Sequence, residues 1–242
     1  YKAIQICNQY LAEFQGLTFD ELKLNDDYRA QMFRYTNSFK EARFLRAYFY
    51  FNLVRAYGDV PYFTEMVTTD QVNSLTRTPA QEIFNAIIAE CDKLSTELPA
   101  DYTKLGLDGI APAENGRVTC YAALALKARA ALYAASPLFN PENNKDLWRR
   151  AAEANKEVIE TCTANGFKLS KYSELWGPNN WSNNEMIFVR RYNGNISTLE
   201  EYNFPMGVPG GNSGNCPTQN MVDAYEMKAT GKMSVSYTHL RA

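Results

Sequence analysis

Few side chains in this chain can carry chemistry, and their types exclude most catalysis at once. The single histidine, His239, lies at the very end of the 242 residues. A Ser-His-Asp arrangement, a Cys-His pair and the HExxH zinc motif are therefore unavailable in the body of the chain. The five cysteines, Cys7, Cys91, Cys120, Cys162 and Cys216, are scattered singly with no Cys-x-x-Cys pair. That spacing signals neither a zinc site nor a dense disulfide framework, and buried free thiols are expected. No glycine-rich loop followed by Lys-Ser or Lys-Thr offers a phosphate cradle. Hydrolysis by paired carboxylates needs only two Asp or Glu residues flanking a sugar bond, and Glu200 with Glu201 or Asp223 with Glu226 are the nominees. Both pairs read more simply as solvated faces. No cofactor, no metal and no catalytic residue is expected.

Binding requires less than catalysis. A sugar ring presents an apolar C–H face and a rim of hydroxyls, so an aromatic platform beside amide or guanidinium groups contacts both at once. Trp176, Trp181, Tyr192, Tyr202 and Phe204 can supply platforms, and Asn179, Asn180, Arg191 and Asn193 can supply hydrogen bonds. Trp181 and Tyr192 are the strongest single candidates. The competing reading is structural: each aromatic plugs a loop onto the core, and each Asn shapes a turn. A few such platforms give affinities nearer micromolar to millimolar than nanomolar, because an aromatic contact adds only about 0.5 to 1.5 kcal/mol beyond its buried area.

Composition narrows the partners. A formal net charge of −2 provides no electrostatic footprint for nucleic acid. No apolar run approaches the roughly 18 to 20 residues of a membrane span. The chain opens directly on an amphipathic pattern, Ile4, Cys7, Tyr10, Leu11 and Phe14, which reads as a fragment starting inside a helix.

The elements that must position the candidate loops are helices. The first covers residues 1–15, and a polar loop with Asn25, Asp26 and Asp27 leads to a second, expected to begin at a Ser38–Glu41 capping box. Within it Phe44, Ala47, Tyr48, Phe51 and Val54 recur at helical steps, while Leu45, Phe49, Asn52 and Ala56 form an adjacent stripe, so two faces call for cover. Gly58, Asp59 and Pro61 stop this helix explicitly. A third helix starts with Thr78 as cap and Pro79 as first residue, and carries Ile83, Phe84, Ile87, Ile88, Cys91 and Leu94. Residues 105–116 read as loop. A fourth helix, residues 117–135, is rich in Ala and Leu, which permits close backbone approach. The fifth is capped by Asp146, has Ala151, Ala154, Val158 and Cys162 on its inner face, and ends at Gly166. Such helix pairs resemble tetratricopeptide units. After Gly166 the chain turns polar and aromatic; residues 185–192 read as a short strand, and residues 193–217 as a long loop rich in glycine and proline. Long loops on a rigid scaffold commonly carry function.

Six stretches carry a resemblance in order: YKAIQICNQYL, the segment EARFLRAYFYFNLVRAYGDVPYFTE, RVTCYAALALKARAALYAASPLFN, LWRRAAEANKEVIE, NNEMIFVRRYN and PTQNMVDAYEMKATGK. Together they resemble the SusD-like (RagB/SusD) nutrient-uptake lipoproteins. The resemblance implies a mainly α fold of tetratricopeptide-like helix pairs with long irregular loops and a little β structure. It implies a helical-repeat scaffold over residues 1–165, a loop-rich ligand side over residues 166–220 and a further family segment over residues 221–232. Residues 233–242, SVSYTHLRA with the preceding Met233, depart from the pattern and read as a non-native tail. The implied function is non-enzymatic capture of a glycan, or a peptide in some members. The ligand would pass to a SusC-like TonB-dependent barrel at the outer membrane. Attachment would be through a lipid anchor lying outside this chain. A tetratricopeptide-like protein-interaction scaffold, and behind it a glycoside hydrolase, are the competing readings.

Overall fold

The computed structural model describes residues 1–107, 116–176, 183–190, 198–228 and 230–232. Two units separate along the chain, Tyr1–Arg190 and Arg191–Ala242.

In the first unit, helices follow one another as α1 (Lys2–Glu13), α2 (Tyr28–Tyr57), the single turn α3 (Thr69–Val72), α4 (Ala80–Glu97), α5 (Cys120–Ala135) and α6 (Lys145–Ala164). Packing runs from α1 to α2, α2 to α4, α4 to α5 and α5 to α6, so the scaffold is a stack of neighbouring helix pairs. The mainly α reading holds. No extended strand occurs among the described residues, and β structure is represented by an antiparallel bridge between Val60 and Thr78.

The apolar periodicity explains the stack. Phe44, Ala47, Tyr50, Phe51 and Val54 of α2 meet Ile83, Phe84, Ile87, Cys91 and Leu94 of α4 in one continuous core. Helix α5 is buried on more than one side, and Ala122, Ala123, Ala128, Ala130 and Ala131 are each nearly inaccessible. Small side chains let α4 and α6 approach it closely, whereas bulkier residues would hold the backbones apart. Lys127 of α5 crosses this stack, with its ammonium 2.5 Å from Asp92 on α4 and 2.7 Å from Glu157 on α6.

Several local expectations are corrected. Helix α2 begins at Tyr28, a full ten residues before the expected capping box. Ser38 lies inside it, where its hydroxyl donates to the Tyr35 carbonyl and meets the Tyr10 hydroxyl at 2.6 Å. Glu41 instead ties the scaffold together: it accepts from Arg117 Nε at 2.9 Å and from Asn37 at 2.7 Å, with the Tyr102 hydroxyl at 3.2 Å. The first turns of α2 are held by aromatic contacts, Tyr35 against Phe19 and Phe39, and Phe33 against Tyr102. Tertiary packing therefore extends the helix beyond what its local cap signal marks. Tyr48 and Ala56, placed on buried stripes by periodicity, are exposed, and Tyr50 takes an inner position. Residues 185–190 of the expected strand are turn and irregular structure.

Helix α6 ends as its sequence implies. Gly166 has φ +88°, its N–H donates to the Thr163 carbonyl, and the Phe167 N–H reaches back to Cys162. Those two bonds form a Schellman cap. At the other end Asn144, rather than Asp146, is the cap residue, accepting from the Asp146 N–H at 2.9 Å.

The second unit contains α7 (Thr198–Asn203) and α8 (Gln219–Asp223). Between them the backbone folds on itself: the N–H groups of Asn212, Ser213 and Asn215 donate to the carbonyls of Glu201, Phe204 and Tyr202.

Candidate functional site

The segment that leaves α6 builds a loop with a closed base. Phe167 seats on Tyr121 with ring centroids 4.9 Å apart, fixing the departure from the scaffold. The Lys168 N–H donates to the Asn184 carbonyl. The Ser170 N–H donates to Glu185 at 2.8 Å, and its hydroxyl donates to Asn183 Oδ1 at 2.6 Å. Asn183 Oδ1 also accepts from the Glu185 N–H. The returning strand of chain is pinned in turn by Phe188, whose ring meets Phe44 of α2 edge-on at 5.4 Å. These bonds clamp residues 168–170 to residues 183–185, so residues 171–176, mostly exposed, project from a fixed base.

Trp176 stands on that projection, at the end of a short 3₁₀ turn (Tyr172–Trp176). Its ring packs against Tyr172 at 5.8 Å in a T-shaped pair, and the two remain 71% and 75% exposed. An aromatic that plugged the loop onto the core would be covered, so Trp176 is not serving that role. The structure adds Tyr172 to the candidate residues. The available signal was its spacing of four from Trp176, which brings side chains together on a helical turn.

The remaining nominees divide by location. Asn179, Asn180, Trp181, Arg191, Tyr192 and Asn193 lie outside the described residues. Tyr202 and Phe204 belong to the second unit, 52% and 44% exposed. Tyr202 also has a local structural duty. A Cβ at Gly214 would lie 2.4 Å from the Tyr202 ring, so the ring rests directly on a glycine backbone.

No group of three His, Cys, Asp or Glu among the described residues can hold a metal ion. The cysteines are free thiols, with Cys7, Cys91 and Cys162 buried and Cys216 exposed. Depressions mark the scaffold, among them one of about 320 Å³ between α4, α5 and α6 at Asp92, Lys127 and Glu157, and two nearer its start. One, about 440 Å³, is largely apolar and lined by Tyr1, Gln5, Pro61, Phe63, Val72 and Leu75. The other, about 130 Å³, is polar and lies between Arg43, Arg46, Tyr62 and Glu90. Arg43 donates to Glu90 and Glu97, and Arg46 donates to Asn8 and to the Thr64 carbonyl, so the cations there are internally satisfied. None of the described helices is long and apolar enough to cross a membrane.

The helical scaffold has recognisable relatives. Residues 1–132 match the SusD-like family described as starch-binding and associating with the outer membrane. The chain belongs to this family. SusD-like protein P25 of Formosa agariphila is 25% identical over 149 residues, which make up 61% of this chain and 24% of that protein. A SusD-like protein of Bacteroides fragilis superposes with a TM-score of 0.66 at 25% identity, over 96% of this chain and 41% of that one. A SusD-like carbohydrate-binding protein of the same organism gives a TM-score of 0.58 at 27% identity, over 78% of this chain and 31% of that one. The chain thus spans well under half the length of these relatives.

Proposed function

We propose that the chain is part of a non-catalytic glycan-capture subunit held at the outer face of the outer membrane by a lipid anchor. It would deliver oligo- or polysaccharide to a SusC-like TonB-dependent transporter. In this reading residues 1–165 are the scaffold and residues 166–220 the ligand side. The observation that carries it is the Tyr172–Trp176 pair, two aromatic rings left open to water on a loop whose base is clamped. Paired exposed aromatic faces suit the C–H face of a sugar. Family membership and the carbohydrate-binding relative from B. fragilis support the same reading. The absence of a histidine from the body of the chain removes the commonest general base, in keeping with capture rather than cleavage.

Native electrophoresis through gels containing single polysaccharides tests this. At least one polysaccharide should retard the protein, and incubation with that polysaccharide should release no reducing sugar. Release of reducing ends would replace capture with hydrolysis. Co-purification with a SusC-like barrel expressed from the same gene cluster tests the delivery step.

A further inference from the structure

Most arginines of the scaffold have clear acceptors. Arg43 and Arg117 hold carboxylates, Arg46 holds an amide and a carbonyl, and Arg150 donates to Asn85 at 2.7 Å. Arg55 of α2 and Arg129 of α5 differ. Both are exposed, and neither pairs with a carboxylate among the described residues. Instead they converge on the same aromatic group. The Arg55 guanidinium lies 5.9 Å from the centre of the Phe51 ring and that of Arg129 lies 5.7 Å from it. Tyr133 meets Phe51 edge-on at 5.2 Å, which sets its phenol beside the two arginines that share that ring.

The placement follows from helix geometry. Arg55 is one turn after Phe51, and Arg129 is one turn before Tyr133, so packing Phe51 against Tyr133 brings the two cations to the α2–α5 seam. Each stacks on a ring, which orients the planar group, but a neutral phenol oxygen is a poor counter-ion for two of them. Two guanidiniums carry ten N–H donors in fixed forks, and neither holds a carboxylate among the described residues. Like charges held together in this way favour an anion that can take several of those donors at once. Arg129 and then Arg55 also hold the Tyr133 phenol below the ordinary tyrosine range, the direction expected beside converging positive charge.

We propose that Arg55, Arg129 and Tyr133 form an oxyanion-binding site that receives the carboxylate or sulfate group of an acidic sugar. The choice of a sugar as carrier rests on the glycan-capture reading; the affinity for the oxyanion does not. A uronate carboxylate and a sulfate ester share the acceptor geometry that paired guanidiniums match. The site confers a preference for charged over neutral glycans, weakened by added salt because it is exposed.

The test follows the arginine Nε–H resonances of the full 242-residue chain by NMR, assigned with Arg55→Gln and Arg129→Gln. Sodium glucuronate, sodium sulfate, glucose and sodium chloride at matched ionic strength are the probes. Saturable shifts of both resonances with glucuronate or sulfate are expected, with neither glucose nor chloride reproducing them. The stronger of the two anions identifies the group recognised. Each Gln variant should weaken the anion roughly tenfold, with Arg129→Lys retaining part of the affinity because charge without the fork remains. Shifts reproduced by chloride, or anion affinity unchanged in both Gln variants, would overturn the site. Gel retardation by dextran sulfate, polygalacturonate and neutral dextran separates the two readings. Saturable anion binding without retardation by any polysaccharide removes the glycan reading and keeps the site. Retardation by polysaccharide that is indifferent to both Gln substitutions does the reverse.

Discussion

Asp59 Oδ1 accepts a hydrogen bond from the Ala80 N–H at 2.8 Å, so the second residue past the end of α2 caps the start of α4. Gly58 makes this reach possible by adopting φ +68°, after its own N–H has closed the last turn onto Val54. Val60 then pairs with Thr78 in both directions, and Pro79 precedes the first residue of α4. The Gly-Asp-Val-Pro run is therefore a clamp between two packed helices as well as a stop signal. Thr78, read from sequence as the cap of α4, is occupied in the bridge to Val60 and does not cap the helix with its side chain.

Replacing Asp59 with Ala should lower stability by about 1 kcal/mol, the usual value of a helix N-cap. Asp59→Asn should retain most of it, because the amide oxygen still accepts the Ala80 N–H. Urea unfolding followed by circular dichroism reads both. Equal losses in the two variants would show that the carboxylate charge, and not the cap bond, is what matters.

Tyr50 performs a second clamping task on the same exit. Its hydroxyl donates to the Phe63 carbonyl at 2.7 Å and accepts from the Phe63 N–H at 2.9 Å. Tyr50→Phe keeps the ring packed on Tyr62 while stranding both backbone groups, and should cost about 1 to 3 kcal/mol. Hydrogen exchange at the Phe63 amide should accelerate more than at amides in the middle of α5. Unaltered protection at Phe63 would mean that the bond is replaced by water without consequence.

Alkaline pH should unfold the scaffold by way of Cys91. Burial, aided by the nearby carboxylates of Glu90 and Asp92, pushes this thiol from its ordinary 9.0 up to about 12. The unfolded chain ionises the thiol first, so the stability tied to its protonated form is complete below pH 9 and drains away as pH rises toward 12. Cys91→Ala should be less stable at pH 7 by about 1 kcal/mol, from lost packing, yet should show a shallower decline between pH 9 and 12. Parallel pH profiles for the two proteins would contradict this account.

Tyr172→Ala and Trp176→Ala should each weaken retardation by a cognate polysaccharide several-fold, with unfolding midpoints nearly unchanged. Both rings are largely exposed, and surface substitutions away from buried features usually alter stability by less than about 0.5 kcal/mol. Loss of Trp176 should also perturb Tyr172, since the rings support each other. Full retention of binding in the double variant would move the ligand site away from this loop.

Much of the scaffold is legible in the chain. The recurrence of apolar residues in α4 marks its buried face, and Ile83, Phe84, Ile87, Ile88, Cys91 and Leu94 are all inside. The alanines of α5 announce close packing, and Gly166 announces the end of α6. The polar residues were harder to read. Ser38 and Glu41 fit a capping box locally, but Tyr10, Tyr102 and Arg117 engage them from distant positions and make them interior members of a longer helix. Trp176 stands exposed beside Tyr172, a contact the sequence marks only by a spacing of four residues, because no polar-aromatic cluster surrounds Tyr172.

By itself the sequence determined the helical periodicities, the Gly58–Pro61 stop and the motifs of the SusD-like family. All of these are local properties, set by side-chain type and short-range spacing. Tertiary structure decided which acceptor each polar group finds. Asp59 caps Ala80, Glu41 gathers Arg117, and Arg55 and Arg129 share Phe51 and Tyr133, because only the packing of α2 on α4 and α5 brings these residues within reach. Burial of an apolar face depends on a repeat along one helix, but a hydrogen bond depends on the position of two atoms to within a few tenths of an ångström.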